Sequence, residues 1–143
     1  MRFMVLVKAN EDSEAGVLPS KEMLARMGKY NEDLLKAGVL LAGEGLQPSS
    51  KGARIKFSGG KHTVTDGPFT ETKELIAGYW LLQVTSREEA IEWVSRAPFE
   101  DGEEIEVRQV FEVSDFPADI FPPEDAAREQ EIRDELQRKA GQP

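Results

Sequence analysis

The order strand, helix, strand, hairpin, strand, helix, strand predicts an α+β domain of the ferredoxin-like βαββαβ type, with two helices on one face of the sheet. Three observations carry that prediction. Residues 2–8 are apolar at both parities, two amphipathic stretches each open on a serine, and a Gly-Gly pair separates two short alternating runs.

Each element follows from local chemistry. In the first strand Phe3, Val5 and Val7 share one face and Met4 and Leu6 the other, the pattern of a strand covered on both sides. A helix follows over Ser20–Ala37, with Ser20 as N-cap, Met23, Leu24, Met27, Leu34 and Leu35 at helical spacing, and Gly38 as the stop. Val39–Gly43 is the second strand, running into a loop at Glu44–Pro48. Arg54–Phe57 and Thr63–Thr65 flank Ser58-Gly59-Gly60-Lys61, a hairpin signal because the glycines accept positive φ. Gly78–Val84 is an apolar strand in which Tyr79 and Trp80 point to opposite faces. Ser86-Arg87-Glu88-Glu89 has the spacing of a capping box ahead of Ala90, Ile91, Trp93 and Val94, and that helix ends before Pro98. Glu104–Val113 is the last strand. Because both helices lie on one face, Met4 and Leu6 on the other call for a different cover, which a second copy of the chain supplies.

The domain thus spans residues 1–113, and residues 114–143 form a charged, partly helical extension. Pro117, Pro122 and Pro123 precede a helical run over Glu124–Lys139 in which acids outnumber bases. Only Ile132 and Leu136 stand four apart as sizeable apolar residues, so this helix is marginal alone and reads as a surface or partner-wrapping segment.

Composition narrows the function. The chain has 143 residues, 39% of them apolar, enough for one core. It has no Cys, which excludes disulfides, thiolate nucleophiles and thiolate zinc sites. His62 is its single imidazole, which excludes His-rich metal centres, and no spacing argues for carboxylate-held magnesium. No metal or cofactor is expected. A net charge of -9 with a pI near 4.7 disfavours nucleic acid and anionic membranes as partners. The apolar run at the N-terminus is too short for a signal peptide, and no apolar run approaches ~18 residues, so a cytoplasmic protein is expected.

Asp66-Gly67-Pro68-Phe69-Thr70-Glu71-Thr72-Lys73-Glu74 is the segment densest in constraint and chemistry. Pro68 fixes its own φ and restricts Gly67, which would hold the Asp66 carboxylate in place. Lys73 between Glu71 and Glu74 could keep one acid ionised while another exchanges a proton, as general acid–base catalysis requires. An ordinary turn followed by an exposed ion-pair run gives the same letters, and both readings stay open. Gly43 and Gly45 either let the backbone at Glu44 approach a ligand closely or merely allow a sharp exit from the strand. They are no dinucleotide fingerprint, since Pro48 stands where a third glycine is needed. His62 shares a strand face with Val64 and lies toward Asp66, or else faces solvent. Tyr30 is a packing residue or an assistant at a site. Lys51, Arg54, Lys56 and Lys61, with no acid among them, fit an anionic ligand, an acidic partner or a solvated strand face.

The motif Asp66-Gly67-Pro68-Phe69-x-Glu71-Thr72-Lys73-Glu74, with Lys36-Ala37-Gly38-Val39 and Gly43-Glu44-Gly45-Leu46 before it and Gly78-Tyr79 after it, resembles the DGPF subgroup of YCII-related (YciI-like) proteins over residues 1–113. The resemblance implies a ferredoxin-like fold that pairs into a dimeric α/β barrel, with a ligand cleft near the sheet-to-sheet interface. In the founding branch a histidine on the first helix meets an aspartate in that cleft. This chain has Lys29-Tyr30-Asn31 there, so the dyad is not carried over. The association of the DGPF branch with extracytoplasmic-function sigma factors implies a regulatory partner.

Three functional expectations follow. The first is a cytoplasmic homodimer with a small-molecule cleft rimmed by Glu44, Asp66, Glu71 and Lys73, with His62 and Tyr30 as further ligand contacts. The second is an enzyme, a hydrolase, lyase or isomerase that moves a proton through Asp66 or Glu71 with Tyr30 or His62 assisting. The third is a regulatory protein whose acidic tail docks on a basic partner.

Overall fold

The structure, a computed structural model, describes residues 1–141. The chain divides into two compact units, Met1–Val110 and Phe111–Pro143. The first contains β1 (Arg2–Lys8), α1 (Glu11–Glu14), α2 (Lys21–Lys36), β2 (Leu40–Gly45), β3 (Ala53–Ser58), β4 (Lys61–Asp66), β5 (Ile76–Gln83), α3 (Arg87–Ser95) and β6 (Ile105–Gln109). Four strands form an antiparallel sheet in the order β2-β5-β1-β6, and β3 and β4 form a separate two-stranded ribbon.

Alternation along β1 decides where the core lies. Phe3 and Val5 stand opposite Leu82 and Trp80 of β5, and all four are buried in one cluster with Tyr30 and Leu34 of α2 and Ala90 of α3. Both helices therefore serve one core. Val5, Leu34 and Leu82 are fully enclosed, and each contributes about 1.5–3 kcal/mol relative to an exposed side chain. The opposite face of the sheet carries Met4, Leu6, Tyr79 and Leu81, all only half-buried.

Helix α2 begins and ends where its caps dictate. The Ser20 side chain accepts from the Met23 N–H at 3.1 Å, and Gly38 takes a positive φ of 75° just past the C-cap Ala37. At α3 only half of the expected box forms: Ser86 accepts from the Glu89 N–H, while the Glu89 carboxylate accepts from the Thr85 N–H and hydroxyl. These bonds hold the Glu89 carboxyl below its ordinary pKa. Helix α1 has no counterpart in the sequence reading. It is a single turn closed by a reciprocal box between Asn10 and Ser13.

Two strands end at least two residues from where the sequence reading ends them. β2 continues through Gly45, because Glu44 and Gly45 pair with Tyr79 and Gly78, so Gly43-Glu44-Gly45 lies in the sheet and not in a loop. β6 stops at Gln109, and Val113–Asp115 forms a short 3-10 turn in which Glu112 N–H donates to the Asp115 carboxylate at 2.7 Å.

The second unit holds α4 (Pro123–Ala140), with Pro123 in its first turn and Ile132 and Leu136 exposed. Ahead of it Phe111, Phe116 and Phe121 stack in a row with ring centroids 5.1 and 5.8 Å apart. Among the described residues no helix is long and apolar enough to cross a membrane.

Candidate functional site

The helix-bearing face of the sheet carries three glycines where β2 and β5 meet. Gly43 stands opposite Trp80 and Gly45 opposite Gly78, so one patch of the sheet has no side chains above it. The result is a hollow of about 340 Å³ walled by Met27 and Asn31 of α2, Trp80, Val7 and Phe99. Its volume falls at the lower end of the ~300–1,000 Å³ usual for small-molecule sites.

Trp80 is fixed on three sides. Tyr30 and Phe99 meet its ring edge to face at 5.5 and 6.1 Å, and a Cβ on Gly43 would come within 2.7 Å of its Cδ1, so only glycine leaves room for the indole. The indole N–H donates to Asn31 Oδ1 at 2.8 Å. Because an indole nitrogen can only donate, this bond settles the orientation of the Asn31 amide. Asn31 lines the hollow, and its NH2 group has no hydrogen-bond partner among the described residues. The site is therefore an aromatic, largely apolar recess with one oriented donor.

Glu44 reaches this recess through its backbone. Alternation along β2 sends its side chain to the face that carries Tyr79, while its carbonyl oxygen lies where a Cβ on Gly78 would approach to 2.9 Å. The carboxylate thus stands exposed on the open face of the sheet.

The Asp66-Gly67-Pro68-Phe69 segment forms a joint at the base of the ribbon. Gly67 N–H donates to Gly52 O at 3.0 Å and Phe69 N–H donates to Ser49 Oγ at 3.0 Å. Ser49 is itself clamped by the Glu14 carboxylate, which accepts from its N–H at 2.9 Å and from its hydroxyl. A Cβ on Gly67 would lie 2.6 Å from the Ser49 carbonyl carbon and closer still to its oxygen. The Arg54 guanidinium stacks on the Phe69 ring at 3.8 Å, and the Gly67–Pro68 peptide is cis. The two hydrogen bonds and the close approach of Gly67 to Ser49 hold the two turns together.

The other residues singled out by sequence are dispersed. Asp66 is the exposed last residue of β4, and Glu71 and Lys73 are exposed in and beside the short 3-10 turn Thr72–Glu74. His62 is exposed opposite Phe57, four residues and so about 13 Å along the strand from Asp66. None of the four lines the recess. Tyr30 is buried and its hydroxyl donates to the Trp93 carbonyl at 2.7 Å. Burial pushes that hydroxyl up to about 12, against a smaller opposing pull from Arg96, so it stays protonated at neutral pH and packs the core beside Trp80.

Asn31 and Trp80 were missed as a pair, although the signal was present. Asn31 follows Met27 by one helical turn on the stripe that includes Leu34, and a polar side chain on a buried stripe needs a partner.

The YCII-related domain profile matches residues 1–114 of this chain. An uncharacterized protein of Rhizobium meliloti (strain 1021) is 36% identical over 73 residues, 51% of this chain, so the match spans little more than half (56%) of that relative. Among solved structures, 5-chloro-2-hydroxyhydroquinone dehydrochlorinase (TftG) from Burkholderia phenoliruptrix AC1100, in complex with 2,5-dihydroxybenzoquinone, is similar at 18% identity and a TM-score of 0.43. That match covers 78% of this chain and 94% of the other.

Proposed function

The chain belongs to the YCII-related domain family, and from that premise we propose that it binds a small molecule in the recess between α2, β2 and β5. The observation that carries this reading is the Asn31 amide, oriented by Trp80 and left with an unpaired NH2 beside an aromatic wall. A ligand with a flat apolar body and a hydrogen-bond acceptor suits those surroundings. A thermal-shift screen of small ring compounds with and without a carbonyl or carboxylate tests it. Stabilisation by the acceptor-bearing members, abolished when Gly45→Leu fills the recess, is expected. Hits that stabilise Gly45→Leu equally would refute it.

Within the family we assign the chain to the DGPF subgroup, on the nine-residue motif Asp66–Glu74. We read the β2-β5-β1-β6 order as ferredoxin-like and pair two copies, in the cytoplasm, through the half-buried open face into a dimeric barrel. The exposed Glu44 carboxylate would then enter a cleft between the sheets. Acid–base catalysis by Asp66 or Glu71, with Tyr30 or His62 assisting, needs a second copy to wall in a substrate there. Asp66→Asn should abolish turnover without unfolding the chain if that enzyme reading holds.

The exposed acidic helix α4, with Ile132 and Leu136 bare, favours one further role, docking on a basic regulatory partner such as an extracytoplasmic-function sigma factor. Removing residues 114–143 should abolish capture of that partner and leave ligand binding intact.

A further inference from the structure

The link between α1 and α2, residues 16–19, runs along the edge of the recess, since Pro19 is one of the lining residues. Both of its ends are fixed. The Ala9 N–H donates to Leu75 O at 2.9 Å and the Glu14 carboxylate clamps Ser49, which pins α1, while Ser20 caps α2, whose Tyr30 and Leu34 sit in the core. Between those anchors little holds the link. The Val17 N–H donates to Asp12 O at 2.9 Å, the Leu18 N–H has no partner among the described residues, and Pro19 has no N–H to give. Gly16 turns at a positive φ of 79°, and Pro19 keeps Leu18 out of the helical region, so α2 cannot grow backwards over the link.

Packing holds it no better. Val17 and Leu18 are 58% and 85% exposed. Both residues border a hollow of about 640 Å³ and another of about 360 Å³, and these two meet the recess at Pro19 and Ala77, which line all three. A segment with open space on both flanks and an unpaired backbone has the properties of a locally opening region, unlike the close-packed core beside it.

We propose that residues 16–19 are a strap that closes on the recess when a small molecule fills it, turning about Gly16 and Ser20 to carry Leu18 over the bound molecule. The inference rests on the reading that the recess binds such a molecule. A flat apolar ligand there presents a surface for Leu18 to cover, and burying that side chain favours the closed form of the occupied site over that of the free one. Closure then slows escape, as lids do, so Leu18 acts on the dissociation rate.

The test compound is 4-ethylbenzamide, a flat ring with one carbonyl acceptor, its binding to the wild type and to Gly45→Leu measured by calorimetry. The chain has no Cys, so Leu18→Cys introduces a single thiol, and Glu11→Cys places a control on α1. Saturating 4-ethylbenzamide should slow alkylation by N-ethylmaleimide at residue 18 about fivefold or more and leave residue 11 unchanged. In stopped-flow tryptophan fluorescence the Leu18→Ser complex should dissociate about tenfold faster than the wild type. Leu24→Ser, at an exposed leucine of α2 that lines none of the three hollows, should dissociate at the wild-type rate. Circular dichroism confirms the fold of each variant. Should Gly45→Leu lose binding while the residue 18 thiol reacts equally with and without the compound, or while Leu18→Ser dissociates like the wild type, the strap is overturned and the recess stands. No binding to the wild type, or equal binding to Gly45→Leu, would overturn the recess reading and the strap with it.

Discussion

Replacing Gly67 by alanine should detach the ribbon and leave the sheet intact. The added methyl would overlap the Ser49 carbonyl, a backbone group clamped from behind by Glu14, so neither turn can yield without losing contacts. Separation costs the bonds from Gly67 N–H to Gly52 O and from Phe69 N–H to Ser49 Oγ, at roughly 0.5–1.5 kcal/mol each. The Arg54–Phe69 stack adds about 0.5–1 kcal/mol. The reduced freedom of the unfolded chain returns about 0.4–1 kcal/mol, so the net local cost is about 1–3 kcal/mol. At ~1.4 kcal/mol per factor of ten, amides of Arg54–Thr65 should exchange with solvent roughly 10- to 100-fold faster. The assay is native-state hydrogen exchange read residue by residue, with Phe3, Val5 and Leu82 in the main sheet as internal standards. Ribbon amides exchanging within about twofold of the wild type would refute the view that the motif is a joint.

Four further outcomes are expected. Asn31→Asp keeps an acceptor for the Trp80 indole but replaces the unpaired donor by an acceptor. Denaturation should stay within about 1 kcal/mol of the wild type, while calorimetric affinity for an acceptor-bearing hit falls at least tenfold. Gly45→Leu meets no atom within 4 Å of its Cβ, so it should leave stability unchanged or raise it by about 0.5 kcal/mol, with ligand binding lost in the same thermal-shift assay. Tyr30→Phe removes its bond to the Trp93 carbonyl, which still accepts from the Arg96 N–H, and should cost about 0.5–1.5 kcal/mol in urea. The pH dependence has a definite sign. The folded Tyr30 holds its proton up to about 12 against 10 for the ordinary hydroxyl, so its contribution is complete below pH 10 and disappears as pH rises through 12. Urea denaturation across that window should show the decline in the wild type, and a wild type as flat as Tyr30→Phe would contradict it.

The sequence made the elements legible because their signals are local. Ser20, Gly38 and Gly59-Gly60 act through backbone groups within a few residues, and each stands where its chemistry requires. The strand boundaries at Gly45 and Gln109 were not legible, since they depend on which residues of β5 and β1 lie alongside. The motif Asp66–Phe69 was identified as constrained, but the constraint alone did not say against what. Ser49 and Glu14, which complete the joint, are 17 and 52 residues away from Asp66 in sequence. The recess hid for the same reason. Gly43, Gly78 and Asn31 come from three elements, and what makes a site of them is the space left between a helix and two strands, a property that no stretch of sequence holds by itself.

The most direct test of the recess is the indole N–H signal of Trp80 under titration with a thermal-shift hit. The chain has 2 tryptophans, so nitrogen-15 labelling gives two indole signals, and Trp80→Phe assigns them. Trp80 should shift to saturation with the added compound while Trp93 stays in place, because only the Trp80 ring forms the wall beside Asn31. A compound that saturates the protein, leaves the Trp80 signal unmoved and shifts only the amides of Asp66–Glu74 would contradict the account.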